Sequence, residues 1–315
     1  MRPIKTLYVM NKSHTDIGFT DYQDICFRQH EEFLDQALDL IEETREYPKE
    51  ARYRWVCEAT GPLMRYLAKA STDKLERFRY WSDEGSLEVT AMQYPHFTQL
   101  FTIEQMQRSL YPVRVLREEY GLQVDTAIQS DVTGVSWIFA DLLPAIGIDF
   151  LTMSINEHRA LAPQPRPGAF WWEGPSGRRM LVWNGYHYLF GRSVIRLGDW
   201  RFVDRFLPGA VARLEANPNY PFDFLFLEST RPRSPPVWHR SRSMSSRRES
   251  MPGPVPSRSS LEPRASRSTG FSKRRRSRIP NRSSSPFPSI SVSRDFASTL
   301  GEWHALPTRI RFRVP

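Results

Sequence analysis

Three side chains in this sequence have the types and spacing for metal or acid–base chemistry. They are His14 and Asp16 in "LYVMNKSHTDIGFTD" and Asp131 in "AIQSDVTGVSW". An apolar run leads into His14, and residues i and i+2 of an extended segment point to one face. An imidazole nitrogen and a carboxylate oxygen are thereby offered to the same point, which suits a divalent metal. A turn alone would need neither. Asp131 also closes an apolar run, and Gly134 lets the backbone turn close to whatever lies there. Taken singly, each has a plainer use. His14 and Asp16 can be a polar strand end bonded to loops, and Asp131 can cap the next helix. Taken together, one His and two Asp form an N,O,O set for zinc or a similar ion.

Those residues need elements to position them, and the chain supplies an alternation. "TLYVMNK" reads as a strand, and "EEFLDQALDLIEETREY" as a helix with Phe33, Ala37, Leu40 and Ile41 on one stripe. "RYRWVCEA" and "GSLEVTAM" read as strands, with a helix through "GPLMRYLAKA" between them. Thr102 with Gln105 predicts a capping box opening the next helix, which Pro112 kinks or divides. "QVDTAIQSD", "IDFLTMS", "RRMLVWNGY" and "FDFLFLES" are further strands, with helices through "GVSWIFADLLPAIG" and from Asp199 to Asn217. Repeated strand–helix alternation predicts an α/β fold whose parallel sheet carries helices outside, either a barrel or an open doubly wound sheet. In both, binding residues collect at the carboxyl ends of strands. His14, Asp16 and Asp131 sit at such ends.

Composition narrows the classes. The chain has 315 residues and a net charge of +9, but residues 231–315 hold 18 Arg and one Lys against four acids. That stretch alone carries +15, so residues 1–230 carry −6. The basicity belongs to the end of the chain, and nucleic acid is not the expected partner of the body. No segment is apolar for long enough to span a membrane, since Asp141, Pro144 and Asp149 interrupt the richest one. Cys26 and Cys57 lack a disulfide-framework spacing and read as reduced thiols of a cytoplasmic protein.

The spacing within the first motif, the glycine after each acid and their order along the chain resemble glycoside hydrolase family 38 α-mannosidases. The likeness is to the N-terminal catalytic domain, in a bacterial branch. The family's histidine–x–aspartate strand, followed by Gly and an aromatic residue, is matched by His14, Asp16, Gly18 and Phe19. Its Asp-x-x-Gly-x-Ser strand end is matched by Asp131, Gly134 and Ser136. "LLPAIGIDFLTMSIN" and "FWWEGPSGRRMLVWNGYHY" are similar to the helix and strand and to the hairpin that come next. The resemblance covers about residues 4–229 and implies a (β/α) barrel of the seven-stranded type, incomplete here. It further implies a carbohydrate substrate and zinc held by His14, Asp16 and Asp131. Asp131 would be the nucleophile of a retaining mechanism, with a second carboxyl roughly 5–5.5 Å away as acid and then base. His158 is a candidate for substrate contact, against a satisfied loop histidine. Trp172, beside Trp171, is a candidate to stack on a sugar, against plain packing.

The family's further metal-ligand histidine and its acid/base aspartate have no match, and neither Asp223 nor Glu228 is assigned to that role. From residue 230 the resemblance stops and an Arg/Ser/Pro-rich tail begins, with 20 Ser and 12 Pro in residues 231–315. Such a tail is expected to be disordered, and the abrupt switch reads as a shifted frame that replaces the rest of a longer, now inactive enzyme. Two other readings stay open: a metal-dependent carbohydrate deacetylase, and a protein whose Arg/Ser tail binds RNA or protein partners.

Overall fold

The computed structural model describes residues 3–158, 161–163, 165–194 and 200–230. The tail and its expected disorder lie outside these residues. Strands β1 (Thr6–Lys12), β2 (Trp55–Cys57), β3 (Leu87–Val89) and β8 (Phe224–Thr230) form one sheet in the order β3-β2-β1-β8, all parallel. A second sheet has the order β4-β5-β7-β6. It comprises β4 (Thr126–Ser130), β5 (Phe150–Ser154), β6 (Gly168–Glu173) and β7 (Arg179–Asn184). Only β6 there runs antiparallel, as the return arm of a hairpin with β7. Among the described residues one parallel bridge, Thr90 to Thr126, joins the two sheets.

Helices cover one face. They are α1 (Gln23–Glu43), α2 (Thr60–Leu67), α3 (Thr72–Glu84), α4 (Ile103–Arg108), α5 (Tyr111–Glu118) and α6 (Phe139–Ala145). Leu38, Leu63, Phe78, Leu116 and Phe139 from these helices meet Cys57, Val89, Ala127 and Leu151 from the strands in one buried cluster. The capping box at Thr102 and Gln105 is formed, and Pro112 stands in the first turn of α5, so the expected long helix is divided in two. Proline lacks the N–H that a helix interior requires but fits a first turn. Between β7 and β8 lie α7 (Tyr188–Val194) and α8 (Trp200–Glu215).

The opposite face of the strands curls around a second cluster containing Met10, Val56, Ile128, Ala169, Leu181, Trp183, Phe224 and Phe226. The Trp183 ring on β7 lies 5.4 Å from that of Phe224 on β8, so strands of the two sheets face one another across this interior. The resemblance implied an incomplete barrel; among the described residues the strands form two joined sheets, and β6 and β8 end the run without pairing to each other. Two positions along from Met10, Val56, Ile128 and Phe226 come Lys12, Glu58, Ser130 and Glu228. Side chains two apart share a face, so a polar layer sits over the apolar one at the carboxyl ends of the strands.

Candidate functional site

The polar layer is buried, and its members bond one another except at Glu228 Oε1, which has no hydrogen-bond partner among the described residues. Lys12 is 0% exposed, pairs with Glu58, reaches Glu228 Oε2 at 3.0 Å and donates to Ser130 Oγ at 2.7 Å. Ser130 Oγ donates to Glu228 Oε2 at 2.6 Å and Ser154 Oγ does so at 3.1 Å. Burial pulls the Lys12 ammonium toward deprotonation, but Glu228 and Glu58 outweigh it and raise its pKa above the ordinary lysine value. Burial likewise opposes ionisation of Glu58, and Lys12 and His14 reverse that, holding its carboxyl well below the usual range. A buried charge persists only when partnered in this way.

His14 stands on this layer. Its Nδ1 lies 3.1 Å from both Glu58 oxygens, and Glu58 Oε2 also accepts the Thr15 backbone N–H at 2.7 Å. The other ring nitrogen, Nε2, lies 3.6 Å from Asp16 Oδ1 and 3.5 Å from Asp131 Oδ2. Residues distant in the chain, at the ends of β1 and β4, thus meet around one imidazole atom. Burial lowers the His14 pKa, yet the Glu58 charge and hydrogen bond leave it raised.

Asp131 does not cap a helix, since α6 begins at Phe139 with Ile138 before it. Its φ is +59°, the only positive value at a non-glycine among the described residues, in the left-handed region that Asp tolerates better than most. That turn directs the carboxylate inward. Asn156 donates to Oδ1, the Tyr188 hydroxyl donates to Oδ2 at 2.7 Å, and His187 Nε2 stands 3.1 Å from Oδ1. Burial pushes the Asp131 carboxyl up, while the close approach of His187, the hydrogen bond from Tyr188 and the charge of His14 outweigh it and hold it well below the carboxylate range.

Among the described residues no group of three His, Cys, Asp or Glu side chains is closed up as a metal site. The donor chemistry nevertheless fits one. Ligands about 2.1 Å from a tetrahedral zinc stand roughly 3.4 Å from each other, close to the two spacings at His14 Nε2. An Nδ1–H held by a carboxylate turns the Nε2 lone pair toward the metal position.

The other expected residues fall elsewhere. His158 is exposed, and its backbone N–H donates to Asn156 Oδ1 at 2.9 Å. Trp172 is half-buried and lines an apolar cavity of about 290 Å³ with Thr133, Gly134, Trp137 and Phe170. Neither bonds to Asp131. Glu228 is committed to Lys12 and the two serines beneath the site, and Asp223 pairs with Lys5 at 3.4 Å before β1 and β8 begin, at their opposite ends. Glu58, Asn156, His187 and Tyr188 were not anticipated. Glu58 alone carried a local signal, a charge directly after the apolar "WVC".

Residues 5–220 match the family described as "Glycosyl hydrolases family 38 N-terminal domain". The chain belongs to glycosyl hydrolase family 38. Two solved structures from Enterococcus faecalis share the fold of this family 38 chain. One is an alpha-mannosidase, with 16% identity and a TM-score of 0.57 over 72% of this chain and 25% of that one. The other, a protein in the same family, has 16% identity and a TM-score of 0.53 over 73% and 24%. The chain therefore spans about a quarter of the length of these relatives. No curated relative matches it. Among the described residues no helix is long and apolar enough to cross a membrane.

Proposed function

We propose that this chain is the N-terminal part of a metal-dependent retaining glycosidase acting on α-mannosides or related glycans. His14, Asp16 and Asp131 are the donors to one divalent ion, zinc by donor type. The observation that carries this reading is His14 Nε2 flanked by Asp16 and Asp131 at 3.6 and 3.5 Å. Family membership supports the glycosidase class, and the alpha-mannosidase among the solved relatives supports the sugar. In this reading the curled strands begin a (β/α) barrel of the seven-stranded type. The protein works in the cytoplasm, where the free thiols of Cys26 and Cys57 stay reduced.

A bound ion supplies a fixed positive charge for sugar hydroxyls and for negative charge that develops during reaction. The chain's own residues do the rest. Asn156, Tyr188 and His187 hold Asp131 ionised and aimed, so a carboxylate oxygen attacks the anomeric carbon as the bond to the leaving group breaks. The resulting glycosyl ester is hydrolysed by water, and two inversions leave the configuration retained. Protonation of the leaving group needs a second carboxyl, which the described residues do not supply; Glu228 is not that group because it is bonded beneath the site.

The test compares zinc content and aryl α-mannoside hydrolysis for the full chain and His14→Ala. Loss of zinc in the variant is expected, together with loss of whatever hydrolysis the full chain shows, and retention of zinc removes the site. A fluorinated mannosyl inhibitor with a good leaving group departs without a general acid, so it tests Asp131 directly. Labelling at Asp131 supports the glycosidase. Acetate release from an acetylated glycan, without labelling, replaces it with the deacetylase.

A further inference from the structure

We propose that Glu58 is a positioning residue: it clamps the His14 ring and the Thr15 main chain together, and so fixes which ring nitrogen of His14 faces Asp16 and Asp131. The metal-affinity consequence rests on the metal-centre reading above, whereas the ring orientation does not.

Glu58 follows β2 and is 3% exposed. Its carboxylate divides its bonds among three neighbours. Oε2 accepts the Thr15 N–H at 2.7 Å, Oε1 takes the Lys12 ammonium, and both oxygens lie 3.1 Å from His14 Nδ1. One carboxylate therefore holds a ring and the adjoining peptide of the same strand end. In a neutral imidazole one nitrogen donates and the other accepts. A carboxylate against Nδ1 makes Nδ1 the donor, which leaves Nε2 as the acceptor, and Nε2 is the atom that meets Asp16 and Asp131. The Thr15 N–H bond fixes the main chain between His14 and Asp16, so the two side chains cannot turn apart. The clamp is itself anchored: the Glu58 carbonyl accepts Thr90 Oγ1 at 2.9 Å, and Lys12 is tied to Ser130 and Glu228. Outer partners of ligating histidines commonly act in this way.

Glu58→Gln keeps the size but replaces one acceptor oxygen with a donor, so it cannot serve Nδ1–H, Thr15 N–H and Lys12 together. Lys12 keeps Glu228, so no buried cation is left alone. The ¹⁵N shifts of His14, read in metal-free protein at a pH where the ring is neutral, should show hydrogen on Nδ1 in the wild type and a mixture of both tautomers in Glu58→Gln. Zinc affinity, measured by competition with a chromophoric chelator, should fall about 10–100-fold. A purely structural Glu58 would lower the melting temperature and leave the tautomer untouched, which overturns the proposal. If the wild type binds no zinc, the metal-centre reading falls, and the tautomer measurement still decides the role of Glu58. Should Glu58→Gln fail to fold, Glu58→Asp decides instead. It keeps the charge on Lys12 but is one methylene short of His14, so a mixed tautomer supports the clamp and the wild-type pattern refutes it.

Discussion

Tyr188 lies face to face with His14, ring centroids 4.7 Å apart at 30°, while its hydroxyl donates to Asp131 Oδ2 at 2.7 Å. One side chain from the start of α7 thus touches two of the proposed donors at once. The stacking and the hydrogen bond can be separated. Tyr188→Phe keeps the ring and removes the donor to a charged acceptor, an interaction worth about 1.5–3 kcal/mol. Labelling of Asp131 by the fluorinated mannosyl inhibitor should slow roughly 10–100-fold, with the fold intact by circular dichroism. An unchanged rate would mean that this bond does not hold the reactive carboxylate.

The approach of Tyr188 depends on a backbone contact one turn further along. A Cβ added at Gly191 in α7 would sit 1.8 Å from the Glu228 carbonyl oxygen of β8, and a main-chain oxygen at that position cannot step aside. Gly191→Ala must therefore push α7 off β8. Overpacking of this kind typically costs about 1–3 kcal/mol. Denaturant unfolding should show the loss, and Asp131 labelling should fall with it because Tyr188 moves with the helix. Stability equal to that of the wild type would show that α7 does not pack here as described.

His14, Asp16 and Asp131 were legible because each closes an apolar run, and in a parallel sheet such ends converge. Lys12 and Glu58 carry the same period-two signal, yet a lone charge at a strand end reads equally well as a solvated one. Only the pairing of β1 with β2 and β8 turns Lys12, Glu58 and Glu228 into a buried network. His187 and Tyr188 were beyond local reading: they come to Asp131 through the return of the β6–β7 hairpin, a contact 57 residues apart for Tyr188. Helix α3 was missed for another reason. Leu75, Phe78 and Trp81 have helical spacing, but their charged neighbours leave only Phe78, Trp81 and Ser82 buried. That the run stays open at β6 and β8 was not legible, because it depends on edge pairing that no local pattern encodes.

The buried network makes a sharp stability prediction. Lys12→Met leaves Glu58 and Glu228 facing each other without a cation, and breaking a buried pair costs about 3–5 kcal/mol. Chemical denaturation should register that loss. Lys12→Met combined with Glu228→Gln removes one of the two carboxylate charges and should recover a large part of it. If the double variant is no more stable than the single, charge is not what Lys12 contributes.

The last prediction concerns pH and His96, which lies away from these charges. His96 is 8% exposed, its ring is 4.7 Å from that of Phe101, and its buried Nε2 has no hydrogen-bond partner. Burial lowers its pKa to about 4, against about 6.5 in an unfolded chain. The folded state thus holds the ring neutral, while the unfolded chain takes up a proton below about pH 6.5. The contribution of His96 to stability is therefore complete above pH 6.5 and is lost as the pH falls toward 4, where the folded ring begins to protonate too. At about 1.4 kcal/mol per pKa unit, the loss amounts to roughly 3 kcal/mol. His96→Phe, which cannot protonate, should lose less stability than the wild type between pH 7 and pH 4.5 in parallel denaturation curves. Identical pH slopes for the two proteins would show that the His96 ring is solvated rather than held neutral in the core.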